Sequence, residues 1–310
     1  MSRLAPVEKL PLAIRKSVRD DWDAKKGDVE AKISEVLGTA WTIEVNPNQI
    51  YAYADSSAYA KENLGACIHA YFDGARRSLE DFENYFGEDG VNELNSICHA
   101  HVLTLDVDEK KRFSYSGNEV HEGQLRLLFS SLGSNIGSAL DRSVLVKSLN
   151  EAPGPESAVM SFMVRSDIRQ NYDPKIEDIR ARIGELVGKP DIKLNPNFEE
   201  NFAKLLAESK VKKTQLRDDW QENLGNFTKF YFQGLVGQLQ WQKFEDDELL
   251  QEGFNDVIDK GEIVFRVVDK LEKRTYNEPV IHDGILYLQT TPQNYGSNID
   301  NAAEKLVDLL

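Results

Sequence analysis

Cysteine and long apolar stretches are both scarce in this sequence. Only two of the 310 residues are cysteines, Cys67 and Cys98, and two cysteines do not make a disulfide framework. No run approaches the roughly 18 apolar residues that a membrane-spanning helix needs. The segment from Met1 to Arg15 also lacks the apolar stretch of a secretory signal. We therefore expect an intracellular protein with free thiols, and the cytoplasm is its expected location.

Positive charge is in short supply as well. The chain has 37 lysines and arginines against 52 aspartates and glutamates, which gives a net charge of −15. Such a surface repels phosphate backbones and anionic lipid head groups. The composition therefore predicts that neither nucleic acid nor a membrane is a partner, and it leaves a protein or a small molecule.

Familiar catalytic motifs are missing too. The sequence has no P-loop, no His-Glu-x-x-His, no nucleophile elbow and no kinase signature. His99 and His101 follow Cys98 closely, but the spacing matches no standard zinc pattern. We therefore predict no cofactor and no bound metal.

What the sequence does contain is repetition. Eight short blocks recur in the same order, at an offset that stays between 149 and 163 residues. The pairs are Lys32–Gly38 with Arg182–Gly188, Ile43–Asn48 with Ile192–Asn197, Glu62–Gly65 with Glu222–Gly225, Tyr71–Gly74 with Tyr231–Gly234, Leu94–Asn95 with Phe254–Asn255, Val107–Asp108 with Val268–Asp269, His121–Gly123 with His282–Gly284, and Gly133–Ile136 with Gly296–Ile299.

Such collinear matches predict a tandem duplication. Repeat 1 is expected over residues 1–150 and repeat 2 over 158–310. The intervening residues 151–157 contain two prolines and a glycine, which break helices, so they are predicted to be a linker.

The hydrophobic patterns predict an α+β fold for each repeat, helix-rich overall. We expect a small, mostly antiparallel sheet of about three strands, covered by helices. The expected strands are Trp41–Val45, Val102–Val107 and Leu125–Phe129, with Asp191–Leu194, Ile263–Val268 and Ile285–Thr290 in the second repeat. Helices are expected near 56–86, 89–99, 214–244 and 248–259, with terminal helices from Ser134 and Ser297.

His121 and His282 are the first candidates for chemistry, because they occupy equivalent positions in the two repeats. Each is followed by an acid and a glycine. One interpretation makes each histidine a general base or metal ligand beside a carboxylate. The other makes His-acid-Gly a β-turn before the last strand. We favour the turn, because adjacent strand residues point to opposite faces.

Ser134, Asn135, Ser297 and Asn298 are candidate ligand-binding residues. They open the predicted terminal helices, where serine or asparagine caps the first turn. A helix N-terminus also attracts anions, so a phosphate or carboxylate site is the second interpretation. Plain capping is the favoured one.

Two functions remain open from the sequence. The favoured hypothesis is a non-enzymatic binding or structural protein that holds a ligand or protein partner in the cleft between the repeats. The residues shared by the repeats are mainly glycine, asparagine, proline and apolar types, which keep a fold rather than react. The alternative is a hydrolytic or metal-assisted enzyme that uses His121 or His282 with nearby carboxylates.

Overall fold

The computed structural model describes residues 3–56, 58–152 and 159–310. The chain divides into two compact units, Met1–Phe162 and Met163–Leu310. The predicted linker falls largely on residues 153–158, which lie outside the described residues, so the predicted boundaries stay a prediction. Within the described ranges, no helix is long and apolar enough to cross a membrane.

The first unit contains six α-helices and four strands among its described residues. In chain order they are α1 Leu12–Ser17, α2 Ala24–Val36, β1 Thr42–Glu44, α3 Pro47–Tyr51, α4 Ala58–Glu62, α5 Leu64–Ile97, β2 Val102–Val107, β3 Ser116–His121, β4 Gln124–Phe129 and α6 Arg142–Glu151. A π-helical turn, Val18–Asp23, joins α1 to α2. A short 3-10 turn, Ile136–Ser138, precedes α6.

The second unit has the same order of strands. Its elements are α7 Phe162–Asp167, α8 Asp173–Leu186, β5 Lys193–Asn195, α9 Phe198–Ser209, α10 Leu224–Trp241, α11 Glu248–Val257, β6 Glu262–Val267, β7 Asn277–His282 and β8 Ile285–Thr290. A π-helical turn, Ile168–Tyr172, joins α7 to α8. The expected richness in helix is confirmed for both units.

Both sheets are mixed and four-stranded, in the orders β1-β2-β4-β3 and β5-β6-β8-β7. The predicted three-stranded, mostly antiparallel sheet is therefore wrong. The first three strands in each order run parallel, and only the outer strand is antiparallel. Strands β3 and β7 lie in connections that were expected to be loops.

The loop after β2 explains this arrangement. Residues 108–115 pass the position next to β2, so β3 forms the edge of the sheet. Strand β4 then fills the position between β2 and β3. Strand β4 buries Leu127, Leu128 and Phe129 in succession. A strand buried on both faces is typical of the interior of a sheet.

The strand register corrects one of the predicted matches between the repeats. Val107 pairs with Phe129, and Val267 pairs with Thr290. Val267 is therefore the residue that corresponds to Val107, and the match of Val107–Asp108 with Val268–Asp269 is wrong by one residue.

The long helix α5 is the centre of the first core, and α10 occupies the same place in the second. Helix α5 starts at Leu64 and α10 at Leu224, later than the expected 56 and 214. Gly87 interrupts α5 with φ 64° and ψ −168°, a conformation that only glycine adopts readily. The end of the first predicted helix near 86 is thus confirmed.

Glycine lets each long helix approach the π-helical turn of its unit. A Cβ atom on Gly65 would lie 2.0 Å from the carbonyl oxygen of Ser17, and one on Gly225 would lie 2.7 Å from the Cα of Ile168. The backbone amide of each glycine also donates a hydrogen bond to the neighbouring element. Gly65 N donates to Ser17 Oγ at 3.1 Å, and Gly225 N donates to Asp167 Oδ2 at 2.6 Å.

We predict that Gly225→Ala destabilises the protein by about 1–3 kcal/mol, because overpacking forces the backbone of α7 and its π-helical turn away from α10. Gly237→Ala is the matched control in the same helix, since a Cβ there has no neighbour within 4 Å. The control should stabilise α10 by up to about 1 kcal/mol. Thermal melting followed by circular dichroism measures both, and equal melting temperatures for the two variants would contradict the close approach.

Candidate functional site

A polar concavity of the first unit lies on the open face of its sheet. Along β2, Leu103, Leu105 and Val107 are buried, whereas Thr104 and Asp106 alternate with them and point to the other face. On that face lies a groove of 420 Å³, which we call the charged groove. Its lining includes Arg3, Glu44, Asn46, Gln49, Thr104, Asp106, His121, Gln124 and Arg126.

The strand register sets one row of side chains across the groove. Glu44 on β1 is level with Thr104 on β2, which is level with Arg126 on β4. Arg126 is in turn level with Glu119 on β3. Directly opposed side chains in a sheet are neighbours, so residues from four strands assemble a single polar row.

Arg126 is the centre of an ion-pair network on this face. Its guanidinium lies 3.1 Å from Asp106 Oδ2 and 3.0 Å from Glu119 Oε1. Arg112 reaches Glu119 from the loop after β2, at 2.7 Å. The side chains of Arg126, Asp106 and Glu119 are 22%, 14% and 20% exposed. Partial burial weakens the screening by water, so these pairs hold fixed charge in place more firmly than exposed pairs do.

The segment before α1 brings a further cation to the groove. Arg3 Nη1 lies 2.9 Å from Asp106 Oδ2 and 3.1 Å from Glu109 Oε1. Hydrogen bonds to Glu109 and Asp106 raise the pKa of the Arg3 guanidinium above its ordinary value. The segment is fixed by Leu4 N, which donates to Tyr53 Oη at 2.8 Å, and by Gln49 Nε2, which donates to Leu4 O at 2.9 Å.

Asp108 fixes the loop that carries Arg112. It is fully buried and accepts hydrogen bonds from Phe113 N at 3.0 Å and Ser130 Oγ at 3.2 Å. Burial pushes the pKa of this carboxyl up, but the hydrogen bonds from Phe113, Ser130 and Arg112 outweigh that effect, so its pKa lies below the ordinary value.

The same face of the second sheet carries different chemistry. Arg266 replaces Asp106 at the equivalent register position, and Tyr287 replaces Arg126. The guanidinium of Arg266 stacks 3.9 Å from the centre of the Tyr287 ring, and its Nε donates to Gln289 at 2.8 Å. A carboxylate-flanked arginine in one unit thus corresponds to an arginine on an aromatic ring in the other.

No protein-family model, curated protein or solved structure matches this chain.

The two candidate histidines are the last residues of the outer strands β3 and β7. Each is followed by a two-residue turn with positive φ at both positions, 50° and 72° at Glu122 and Gly123, and 52° and 74° at Asp283 and Gly284. The β-turn interpretation is therefore confirmed. His121 is exposed at the rim of the charged groove. His282 Nδ1 lies 3.1 Å from Asp283 Oδ2, and both side chains are more than 70% exposed.

The Gly-Ser-Asn segments do not open a terminal α-helix as expected. Asn135 and Asn298 adopt left-handed backbone, with φ 49° and 48°, ahead of single 3-10 turns, and neither side chain caps one. Helix α6 begins only at Arg142, and the 3-10 turn Leu306–Leu309 takes its place in the second unit. Ser134, Asn135, Ser297 and Asn298 remain candidate ligand-binding residues without the helix N-terminus that suggested them.

The two cysteines lie in the packed interior of the first unit. Cys67 and Cys98 are free and fully buried, and burial raises the pKa of each thiol to about 12. In the described part of the chain, no three histidine, cysteine, aspartate or glutamate residues are grouped as metal ligands would be. Both thiols are packed side chains.

The groove residues Asp106, Glu119 and Arg126 were not among the candidates from the sequence. The available signal was the alternation of leucine with polar residues along 103–106 and 124–127. That pattern marks which residues face away from a core, but it does not say which strands are neighbours.

We predict that Asp108→Asn costs about 1–3 kcal/mol of stability at pH 7, because the amide leaves charge-assisted hydrogen bonds unmade. The folded pKa is lowered, so the carboxylate stabilises the fold above its unfolded pKa of about 3.9, and this contribution is lost as the pH falls through the folded value. Urea unfolding at pH 7 and pH 3 should show a smaller cost in acid than at neutral pH.

Asp269→Asn is the control for that measurement, because this side chain is 95% exposed. It should leave the free energy of unfolding nearly unchanged at both pH values. A loss for Asp108→Asn that is as large at pH 3 as at pH 7 would show that packing, not the ionised carboxylate, is what the loop requires.

Proposed function

We propose that the protein is a non-enzymatic binding protein built from a tandem duplication, and that the charged groove of its first unit holds a partner. The observation that carries this proposal is a contrast. Residues that hold the helices in place make the same contacts in both units, while the residues on the open faces of the sheets differ.

The repeated contacts support the duplication. Tyr71 Oη accepts a hydrogen bond from Gly133 N at 3.2 Å, and Tyr231 Oη accepts one from Gly296 N at 3.3 Å. A second pair of contacts, from asparagine side chains to carbonyl oxygens, measures 2.8 Å in both units and comprises Asn95 Nδ2 to Leu37 O and Asn255 Nδ2 to Val187 O. Two unrelated sequences have no physical reason to share such side-chain contacts at the same places.

The chemistry of the groove favours recognition over reaction. Catalysis by proton transfer needs a group that exchanges a proton near neutral pH. The carboxylates of Asp106 and Glu119 are instead both held in ion pairs with Arg126. Fixed, partly buried charges of both signs are suited to orient a polar partner.

The partner is expected to be a protein or a small molecule, because the net charge of −15 opposes nucleic acid and anionic membranes. Binding of a partner in the cleft between the repeats remains a prediction. Within the first unit, the charged groove is the surface whose residues we assign to the partner.

A hydrolytic or metal-assisted enzyme is the second candidate, and one observation favours it. His121 lies at the rim of the same groove, where it pairs with Gln124 of β4. Its exposure leaves water free to reach it, whereas catalytic groups act best where water is excluded. His121→Gln tests this candidate, since it would abolish a histidine-dependent hydrolysis.

The binding proposal is tested by neutralising the network without changing the net charge. The double variant Arg126→Gln with Glu119→Gln removes one positive and one negative charge from the groove. A partner that co-purifies with the wild-type protein from its native lysate should be retained at least tenfold less by this variant, a loss of about 1.4 kcal/mol.

The control is Lys147→Gln with Glu151→Gln, an exposed pair 3.9 Å apart on α6. This variant also keeps the net charge, and it should retain the partner as the wild type does. Equal retention by all three proteins, each with an unchanged melting temperature, would rule out the groove as the partner surface.

A further inference from the structure

We infer that the charged groove recognises an arginine side chain of a protein partner, and that Arg3 is an intramolecular occupant of that arginine site. This inference rests on the proposed binding function and gives it a ligand class. Its basis is the position of Arg3, the charge left when Arg3 is removed, and an unpartnered hydroxyl in the groove.

Arg3 sits in the groove as a ligand would. It does not belong to the sheet but reaches it from an extended segment, and its guanidinium meets Asp106 and Glu109 from the open side. Its side chain is 47% exposed, whereas Arg126 on the wall is 22% exposed. The two carboxylates thus hold a guanidinium that is accessible from solvent.

The groove without Arg3 has an excess of negative charge. Four carboxylates remain around it, and two guanidiniums, those of Arg112 and Arg126, balance only part of that charge. The carboxylates are Glu44, Asp106, Glu109 and Glu119. Among the described residues, Glu44 has no ion-pair partner. A cation is therefore the group that this surface lacks.

Thr104 adds a hydroxyl oxygen to these acceptors. Its hydroxyl oxygen is buried and has no hydrogen-bond partner among the described residues. Thr104 lies in the polar row between Glu44 and Arg126. Buried polar groups are normally hydrogen-bonded, so this hydroxyl points to a donor that a bound partner supplies.

Arginine fits these acceptors better than lysine does. A guanidinium presents five N–H donors in a planar fork, and it serves several carboxylate and hydroxyl oxygens at once. Arg3 already uses one nitrogen, Nη1, for both Asp106 and Glu109. A lysine ammonium is a compact point charge and meets the same acceptors less completely.

The attachment of Arg3 to the fold makes it a competitor. Leu4 and Val7 are held by hydrogen bonds from or to Tyr53, Gln49 and Asn48, so Arg3 stays near the carboxylates at high effective concentration. A site that is only partly free binds an external ligand with an affinity reduced by the free fraction. Removing Arg3 should therefore strengthen binding of an external arginine.

The test uses the full chain and three short peptides that differ in one central residue, arginine, lysine or glutamine, flanked by glycine and serine. Affinity is followed by amide chemical-shift titration. We expect the Arg3→Ala variant to bind the arginine peptide about tenfold more tightly than the wild type does. The lysine peptide should bind more weakly than the arginine peptide, and the glutamine peptide should not bind.

Glu109→Gln, combined with Arg3→Ala, should remove most of the gain, because Glu109 is half-exposed and its ion pair is with Arg3. Glu88→Gln in the Arg3→Ala background changes the net charge equally at an exposed position and should have no effect. An unchanged affinity on Arg3→Ala, or equal binding of the arginine and glutamine peptides, would overturn the inference.

The two proposals fail separately. If the native partner still requires Arg126 and Glu119 while the arginine peptide does not bind, only the arginine site is wrong. If the partner is retained without the groove charges, the proposed binding surface is wrong as well.

Discussion

The close approach of a helix backbone to a π-helical turn is the constraint on which each unit depends. Gly65 and Gly225 stand where a methyl group would collide with main-chain atoms of the neighbouring element. Because that approach fixes the long helix, it also fixes the face of the sheet that the helix covers. Gly74 and Gly234 make a second approach further along the same helices, to the 3-10 turns after β4 and β8. Because the helices cover one face of the sheet, the polar residues that alternate with apolar ones along its strands lie on the other face.

The two units meet this constraint with different chemistry. Ser17 offers a neutral hydroxyl to the Gly65 amide, whereas Asp167 offers a carboxylate to the amides of Gly225 and Asn226. Burial raises the pKa of Asp167 even though these hydrogen bonds oppose the rise. A raised carboxyl pKa means that folding favours the protonated form, so its contribution to stability declines as the pH rises above the unfolded pKa. The Ser17 hydroxyl has no such dependence on pH. Either group therefore holds the glycine amide in place, but the stability of the two units responds differently to pH.

Local signals in the sequence predicted the elements better than their arrangement. Ile285–Thr290 is a strand as predicted, and Gly38 and Gly188 end their helices with positive φ, 64° and 67°. The outer strands β3 and β7 were missed because their residues, such as Gly117, Asn118 and Pro279, are poor strand formers that edge positions tolerate. The parallel order was missed for a related reason. Once the outer strand is read as a loop, the connection between the two flanking strands contains no helix, whereas a parallel pair is usually joined by a helical crossover.

The candidate site was harder to predict than the fold because its residues become neighbours only through register. Arg126 follows β3 closely in sequence, but Asp106 and Glu44 come from strands that are far from it along the chain. The histidines drew attention in the sequence because they are rare, yet they terminate strands at exposed turns. Arginine is the more informative residue in a chain with a net charge of −15. Arg3, Arg112 and Arg126 share the carboxylates of Asp106 and Glu119 at this sheet. Their placement depends on the sheet, and the glycines fix the long helix, whose Tyr71 ring contacts Phe129 of β4.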